Sequence, residues 1–340
     1  MPDVVDDISL AIVPRERWSL SVPSLQDVLN TVPAGIELVY VDGGSPHHIA
    51  DELRQIVAGA GGTYIRRDYV LAPQEAKNLA AAATTKPFIL YVDNDVAPDE
   101  GFLEPLHECA LETGAAAVGP LIMHGARGGS PIVHIAGGDI RIENGRIDDN
   151  DHRGMWSHID DMPPLERSPS SQLEFHAILV RREALDELGG FDEGVLSMCD
   201  HEDFVLAAAE KGWPLYFEPA SRVTYRLFAP LTEDDYGFWQ LRWSEEWNAE
   251  SFRYFCDKWD VRDDVGWPDY GRRWSSKQRM WWHHKQGRLH TATGAVLRKL
   301  VMIPYLCVPF RTLEQRALCR AGAIEHERRT DALAAASPTA

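Results

Sequence analysis

Short apolar runs alternate with stretches of helical spacing along the first third of the chain, the pattern of a βαβ series feeding a mostly parallel sheet. Ile8 to Val13, Ile36 to Val41, Thr63 to Arg66, Phe88 to Val92 and Ala115 to Val118 predict strands. Between the second and third, Ile49, Leu53, Ile56 and Val57 recur at helical spacing, with Ser45 and Pro46 placed as N-cap and first-turn residues. Pro73 to Ala83 predicts a second helix whose alanines imply close packing. Two strands, IELVYVD and FILYVD, end in an acid, and open α/β sheets bind ligands outside the carboxyl ends of their strands. Asp42, Asp93 and Asp95 are therefore expected to converge.

Residues 121–172 carry little pattern and much Gly, Pro, His and Asp, which reads as hairpins and a long, mobile loop over the site. Regularity returns with a strand at FHAILVR, a helix at REALDELGG, a turn at FDEG, a helix from about Asp200 and a strand at PLYFE. Beyond about residue 230 the aromatic, charged sequence reads as helices, ending in an Ala-rich tail expected to fray.

At 340 residues the chain is long enough for one large or two small domains with a real core. A formal charge of −18 excludes a general nucleic-acid binder that works by neutralising phosphates. The charge is uneven: residues 271–330 hold 13 Lys+Arg against 3 Asp+Glu, a local +10 that leaves −28 elsewhere. That basic arm includes Trp274, Trp281, Trp282 and the run Leu300 to Phe310, whose eleven residues fall short of the ~20 that span a bilayer. The arm suits peripheral contact with an anionic membrane surface or an acidic partner face, or packing on its own acidic body. Five scattered cysteines without a C-x-x-C pair argue against a disulfide framework or structural zinc, and Asp3, Asp6 and Asp7 stand where a secretory signal needs positive charge. A cytoplasmic location, with attachment at the inner membrane face, is the expectation.

The sharpest chemical signal is YVDNDV, residues 91–96, where two carboxylates at a strand end can hold a hard divalent cation able to bridge a diphosphate. With it come VDGGS after an earlier strand, Ala76-Lys77-Asn78, the loop IVPRER, the stretch RREALDELGGFDEG and the acidic CDHEDF. In that order, from about Ile8 to Val223, these resemble the family 2 glycosyltransferases. The resemblance implies a GT-A fold, an α/β Rossmann-like sheet flanked by helices. It divides the chain into a catalytic domain over residues 1–228, with a nucleotide-binding half (1–120) and an acceptor-binding half (121–228), and a helical extension over 229–340.

The same resemblance implies inverting transfer of a sugar from a nucleotide diphosphate sugar, a UDP-sugar in the first instance, to a hydroxyl acceptor, assisted by Mn²⁺ or Mg²⁺. Asp42 would hold the base or ribose, Asp93 the ribose or metal, and Asp95 the metal, with Arg15 and Lys77 as nucleotide neighbours; a surface helix lysine is the plainer reading of Lys77. CDHEDF admits two registers. Glu202-Asp203 matches one form of the base motif, whereas the nine residues from Asp203 to Gly212 favour a form that puts Asp200 beside the acceptor and leaves Asp203 to fix the helix start. Asp200 and Asp203 are thus the catalytic candidates, with His201 and Glu202 on the acceptor side. Tyr225 stands where many members carry a metal-binding histidine, which weakens the expected metal dependence, and Ala207 stands where an arginine is common, so that what the arginine would do comes from elsewhere or not at all. His134 and His176 sit in apolar, strand-like contexts and read as core or acceptor-site histidines. Trp239 and Trp243, four apart on one helix face, stack on acceptor sugars if exposed and otherwise belong to the core. A nucleotidyltransferase or a silent GT-A module that binds glycans or partners remains the alternative.

Overall fold

The computed structural model describes residues 4–15, 17–127, 130–278 and 308–336. The expected apolar runs become strands buried along nearly their whole length: β1 (Ile8–Val13), β2 (Glu37–Gly43) and β4 (Phe88–Asp93), with β3 (Thr63–Arg67) at the edge. A short α1 (Val4–Asp7) precedes them, and α2 (Ser21–Thr31), α3 (His47–Gly59) and α4 (Pro73–Ala82) link them. Ile49, Leu53 and Val57 form the buried face of α3 as their spacing requires. Ser45 does not cap that helix, because the carboxylate at the end of β2 captures it first. Asp42 accepts from both the Ser45 amide and hydroxyl at 2.9 Å, and Pro46 takes the N-cap position.

After β5 (Val96–Pro98) and α5 (Leu103–Thr113), the fifth expected strand appears as β6 (Ala117–Arg127), longer than predicted. It pairs with β7 (Ser130–Ile135), and β8 (Gly138–Glu143) pairs with β9 (Arg146–His152), so the pattern-poor region is built largely of hairpins. The chain then forms β10 (Ser168–Pro169), β11 (Ala177–Arg181), α6 (Arg182–Leu188), α7 (Asp200–Glu210) and β12 (Leu215–Tyr225). The main sheet runs β10-β12-β6-β11-β4-β1-β2-β3. β3, β2, β1 and β4 are parallel, as are β6 and β12, while β11 lies antiparallel between β4 and β6.

The last described elements are α8 (Tyr236–Arg242), α9 (Glu245–Trp259), α10 (Gly266–Gln278) and α11 (Val308–Ala336). Phe252 and Phe255 of α9 join the buried cluster that also holds Ala76, Phe175, Phe191 and Phe204, so the helical extension shares the core of the sheet. α11 lies close on α8 and α9: a Cβ at Gly322 would stand 2.8 Å from Ser244 Cβ and 3.1 Å from the Gln240 carbonyl oxygen. Arg329 of α11 donates to the Val70 carbonyl at 2.8 Å and to Glu75 at 3.1 Å. This part of the basic arm therefore packs on the acidic body, whereas Trp281, Trp282 and residues 300–307 lie outside the described residues. No helix among the described residues is long and apolar enough to cross a membrane.

Candidate active site

Arg15, just past β1, links two carboxylates from distant parts of the chain. Its Nε is 3.6 Å from Asp93 Oδ2 at the end of β4, and its Nη1 is 3.6 Å from Asp200 Oδ2 at the start of α7. The loop carrying it is held by Asn94, the middle residue of the D-x-D. Asn94 Oδ1 accepts the Arg15 amide at 2.7 Å, its Nδ2 donates to Ser21 Oγ at 2.7 Å, and its own amide bonds Val13 O at 3.1 Å. The middle residue of the D-x-D thus fixes the loop of the arginine that bridges Asp93 and Asp200, a role the D-x-D pattern itself does not signal.

Lys77 is not a surface lysine. It is fully buried, with Nζ 3.9 Å from Asp200 Oδ2 and 4.3 Å from the centre of the Phe175 ring. Burial pushes its pKa down to about 8, against the pull of Asp200 and Asp93. Gln74, on the same helix, donates to the Asp200 carbonyl at 3.0 Å and so positions the start of α7. Burial pushes the Asp200 carboxyl up, but the His201 hydrogen bond, Arg15 and Lys77 outweigh it and hold the group well below the usual carboxylate range. Asp200 is therefore an ionised, buried acceptor whose Oδ2 has two cations nearby and, among the described residues, no hydrogen-bond donor.

His176, expected on the acceptor side, faces the D-x-D instead. Its Nδ1 is 3.0 Å from Asp93 Oδ2, and its carbonyl accepts the Asp93 amide at 3.0 Å. Its ring stacks on Tyr225 with centroids 4.0 Å apart and planes at 19°. The tyrosine standing in the place of a metal-binding histidine therefore lies flat against a histidine from the turn that enters β11. Donor atoms of Asp93, Asp95 and His176 all lie within 4.8 Å of one another, and Asp93 Oδ1 is buried without a hydrogen-bond partner among the described residues. Two carboxylates and one imidazole, with an unsatisfied buried oxygen among them, fit a Mn²⁺-like cation.

Asp42 heads a separate network. It accepts from Tyr64 Oη at 2.5 Å and from Arg66 as well as from Ser45. β1 separates β2 from β4, so Asp42 and Asp93 sit two strand spacings apart, roughly 10 Å. Between them the chain turns at Gly44, where φ is +80° and a Cβ would stand 3.0 Å from the Tyr69 backbone.

Asp203 does not fix the helix start. The N-cap of α7 is Cys199 at φ 69°, without a side-chain cap, and Asp203 instead accepts from Lys258 at 2.9 Å and Trp259 Nε1 at 2.8 Å, tying α7 to α9. His201 stands between acids, its Nδ1 3.3 Å from Asp200 Oδ1 and its Nε2 3.1 Å from Glu202 Oε2. Burial would lower its pKa, but Glu174, Glu202 and Asp200 raise it well above the ordinary histidine value. Trp239 and Trp243 are buried in the main core cluster, so the face they share is packing surface and no sugar platform. Sequence reading passed over Glu174 and His152, which lie against this histidine.

A D-x-D at the carboxyl edge of a parallel sheet is thus joined through one arginine to a buried acid at a helix start, on a GT-A-type fold. Residues 15–188, just over half of the chain, match the sequence profile of Glycosyl transferase family 2. The chain belongs to that family of glycosyl-transferring enzymes. It is 27% identical over 196 residues to the pre-mycofactocin glycosyltransferase of two Mycobacterium tuberculosis strains, an alignment covering 56% of this chain and 37% of theirs. The chain thus spans well under half the length of these curated relatives. Its fold is similar to the crystal structure of GalNAc-T7 with UDP, GalNAc and Mn²⁺, at a TM-score of 0.51 and 15% identity, covering 82% of this chain and 57% of that one.

Proposed function

We propose that the protein transfers a sugar from a nucleotide diphosphate sugar to a hydroxyl acceptor, with inversion, and that Asp200 is the base. The observation that carries this reading is the Arg15 bridge, which puts the D-x-D and Asp200 in one crevice. Asp42 with Tyr64 and Arg66 serves the nucleoside end, two strands away from the diphosphate end at Asp93, Arg15 and Lys77. Asp200 takes the acceptor proton as the acceptor oxygen bonds to the anomeric carbon. The bond from that carbon to the diphosphate breaks, and the nucleoside diphosphate leaves with its electron pair. Asp93, Asp95 and His176 would hold a divalent cation, which supplies Lewis-acid stabilisation of the leaving diphosphate. Arg15 and Lys77 add fixed positive charge at the same end.

UDP and Mn²⁺, present in the similar solved structure, are the first ligands to try. A thermal-shift screen of nucleoside diphosphates with and without Mn²⁺ should raise the melting temperature for one base, by ligand linkage. Asp95→Asn should abolish metal-stimulated release of nucleoside diphosphate from the matching sugar nucleotide while leaving the fold intact. Turnover that is unchanged across a Mn²⁺ titration in Asp95→Asn refutes the metal assignment. A wild-type protein that binds no sugar nucleotide at all favours a silent module.

A further inference from the structure

Five of the chain's 13 histidines, His124, His134, His152, His176 and His201, meet in one buried region, and His176 alone is accounted for by the D-x-D. His134, His152 and His201 gather around Glu174, which lies two residues before His176, while His124 packs on His134. Glu174 Oε1 is 3.2 Å from His152 Nε2 at the end of β9 and 3.5 Å from His134 Nε2 in β7. Its Oε2 is 3.6 Å from His201 Nδ1 on α7. The rings of His152 and His201 meet at 90° with centroids 5.8 Å apart, so their nitrogens approach the carboxylate from different directions.

We propose that His152, Glu174 and His201 form a second metal site, for a divalent first-row transition ion of the Zn²⁺ class, distinct from the donor cation. Donor atoms of the three lie within 4.8 Å of one another. Ligands about 2.1 Å from a tetrahedral ion stand about 3.4 Å from each other, and the observed separations of 3.2 and 3.6 Å bracket that value. Two imidazoles and one carboxylate select zinc-like ions, whereas the oxygen-rich Asp93-Asp95-His176 set favours Mn²⁺ or Mg²⁺. The second nitrogen of His201 lies 3.1 Å from the Glu202 carboxylate, an ion-pair contact on the far side of the ring, while its Nδ1 is 3.3 Å from Asp200 as well as 3.6 Å from Glu174. Glu174 is also near enough to His134 and His176 to form a group with them. His176 is engaged by Asp93 at 3.0 Å, which leaves Glu174 to His152 and His201. The two sites share no residue, and this inference does not rest on the proposed reaction.

The test uses the full chain, stripped of metal with a chelator, and titrates Zn²⁺ by equilibrium dialysis and Co²⁺ by visible absorption. On an Asp95→Asn background, which weakens the donor site, one Zn²⁺ per chain should still bind, and Co²⁺ should show the intense ligand-field bands of a low-coordinate, nitrogen-bearing site. His152→Gln should weaken that binding by about 100-fold or more, the loss expected for a direct ligand rather than an outer partner. Glu174→Gln should do the same, with circular dichroism of the metal-free forms checking the fold. Absence of such bands and of Zn²⁺ uptake in the Asp95→Asn protein overturns the proposal and leaves the cluster as a hydrogen-bonded charge network. So does uptake undiminished in a folded His152→Gln protein.

Discussion

Replacing Lys77 with methionine, close in length but without charge, isolates one electrostatic contribution. The ammonium has no solvent exposure, and its nearest polar neighbours are Gln74 Oε1 at 3.3 Å and Asp200 Oδ2 at 3.9 Å. A fall from an ordinary 10.5 to about 8 corresponds to about 3 kcal/mol, at about 1.4 kcal/mol per pH unit. Below about pH 8 the lysine is protonated in both the folded and unfolded chain, so the folded state carries the whole cost of the buried charge. Between about 8 and 10.5 the folded protein has released the proton while the unfolded chain still holds it, so stability rises with pH. Urea unfolding of wild type and Lys77→Met across that range should show the difference in unfolding free energy moving by about 3 kcal/mol in favour of wild type. Other titrating groups common to both proteins cancel in the difference. A flat or falling difference would refute the buried-ammonium argument.

Asp200→Asn should lower the transfer rate by ~10² to 10⁴ with donor affinity retained, measured by steady-state kinetics against a nucleoside diphosphate titration. Asp203→Asn should lower the melting temperature, at a cost of about 1–3 kcal/mol for weakened ties to Lys258 and Trp259, and leave turnover in place. The reverse pair of results would move the base to the other register. Trp239→Ala should destabilise by about 3–5 kcal/mol in denaturant melts without changing donor affinity, because the ring is core. Asn94→Ala strands the Arg15 amide and should cost about 1–3 kcal/mol while weakening nucleoside diphosphate binding by calorimetry.

The parallel half of the sheet was legible because its central strands are local apolar runs, two of them closing on an acid; β1 matches its expected limits residue for residue. The link between Asp93 and Asp200 could be anticipated through the family pattern, but Arg15 as their bridge could not, since it depends on a loop held by Asn94. Two signals left their outcome open for one reason. The spacing of Trp239 and Trp243 shows that they share a helix face, and says nothing of whether that face is covered. His176 in an apolar run reads as core, although its nitrogen meets an acid on the neighbouring strand. Glu174, His152 and His201 lie on three separate segments, and no local pattern announces such a meeting.

The antiparallel direction of β11 changes what one edge of the sheet can be made from. A wholly parallel sheet gathers only the points where its strands leave. Because β11 runs against β4, the chain enters β11 at the edge where β1 and β4 exit, with Ala177 opposite Val92. Residues leading into one strand thereby meet residues leading out of two others, and His176 reaches the D-x-D without a long excursion of the chain. That single reversal makes this edge a seam, where the parallel strands of the first part of the chain meet the segment that follows the hairpins.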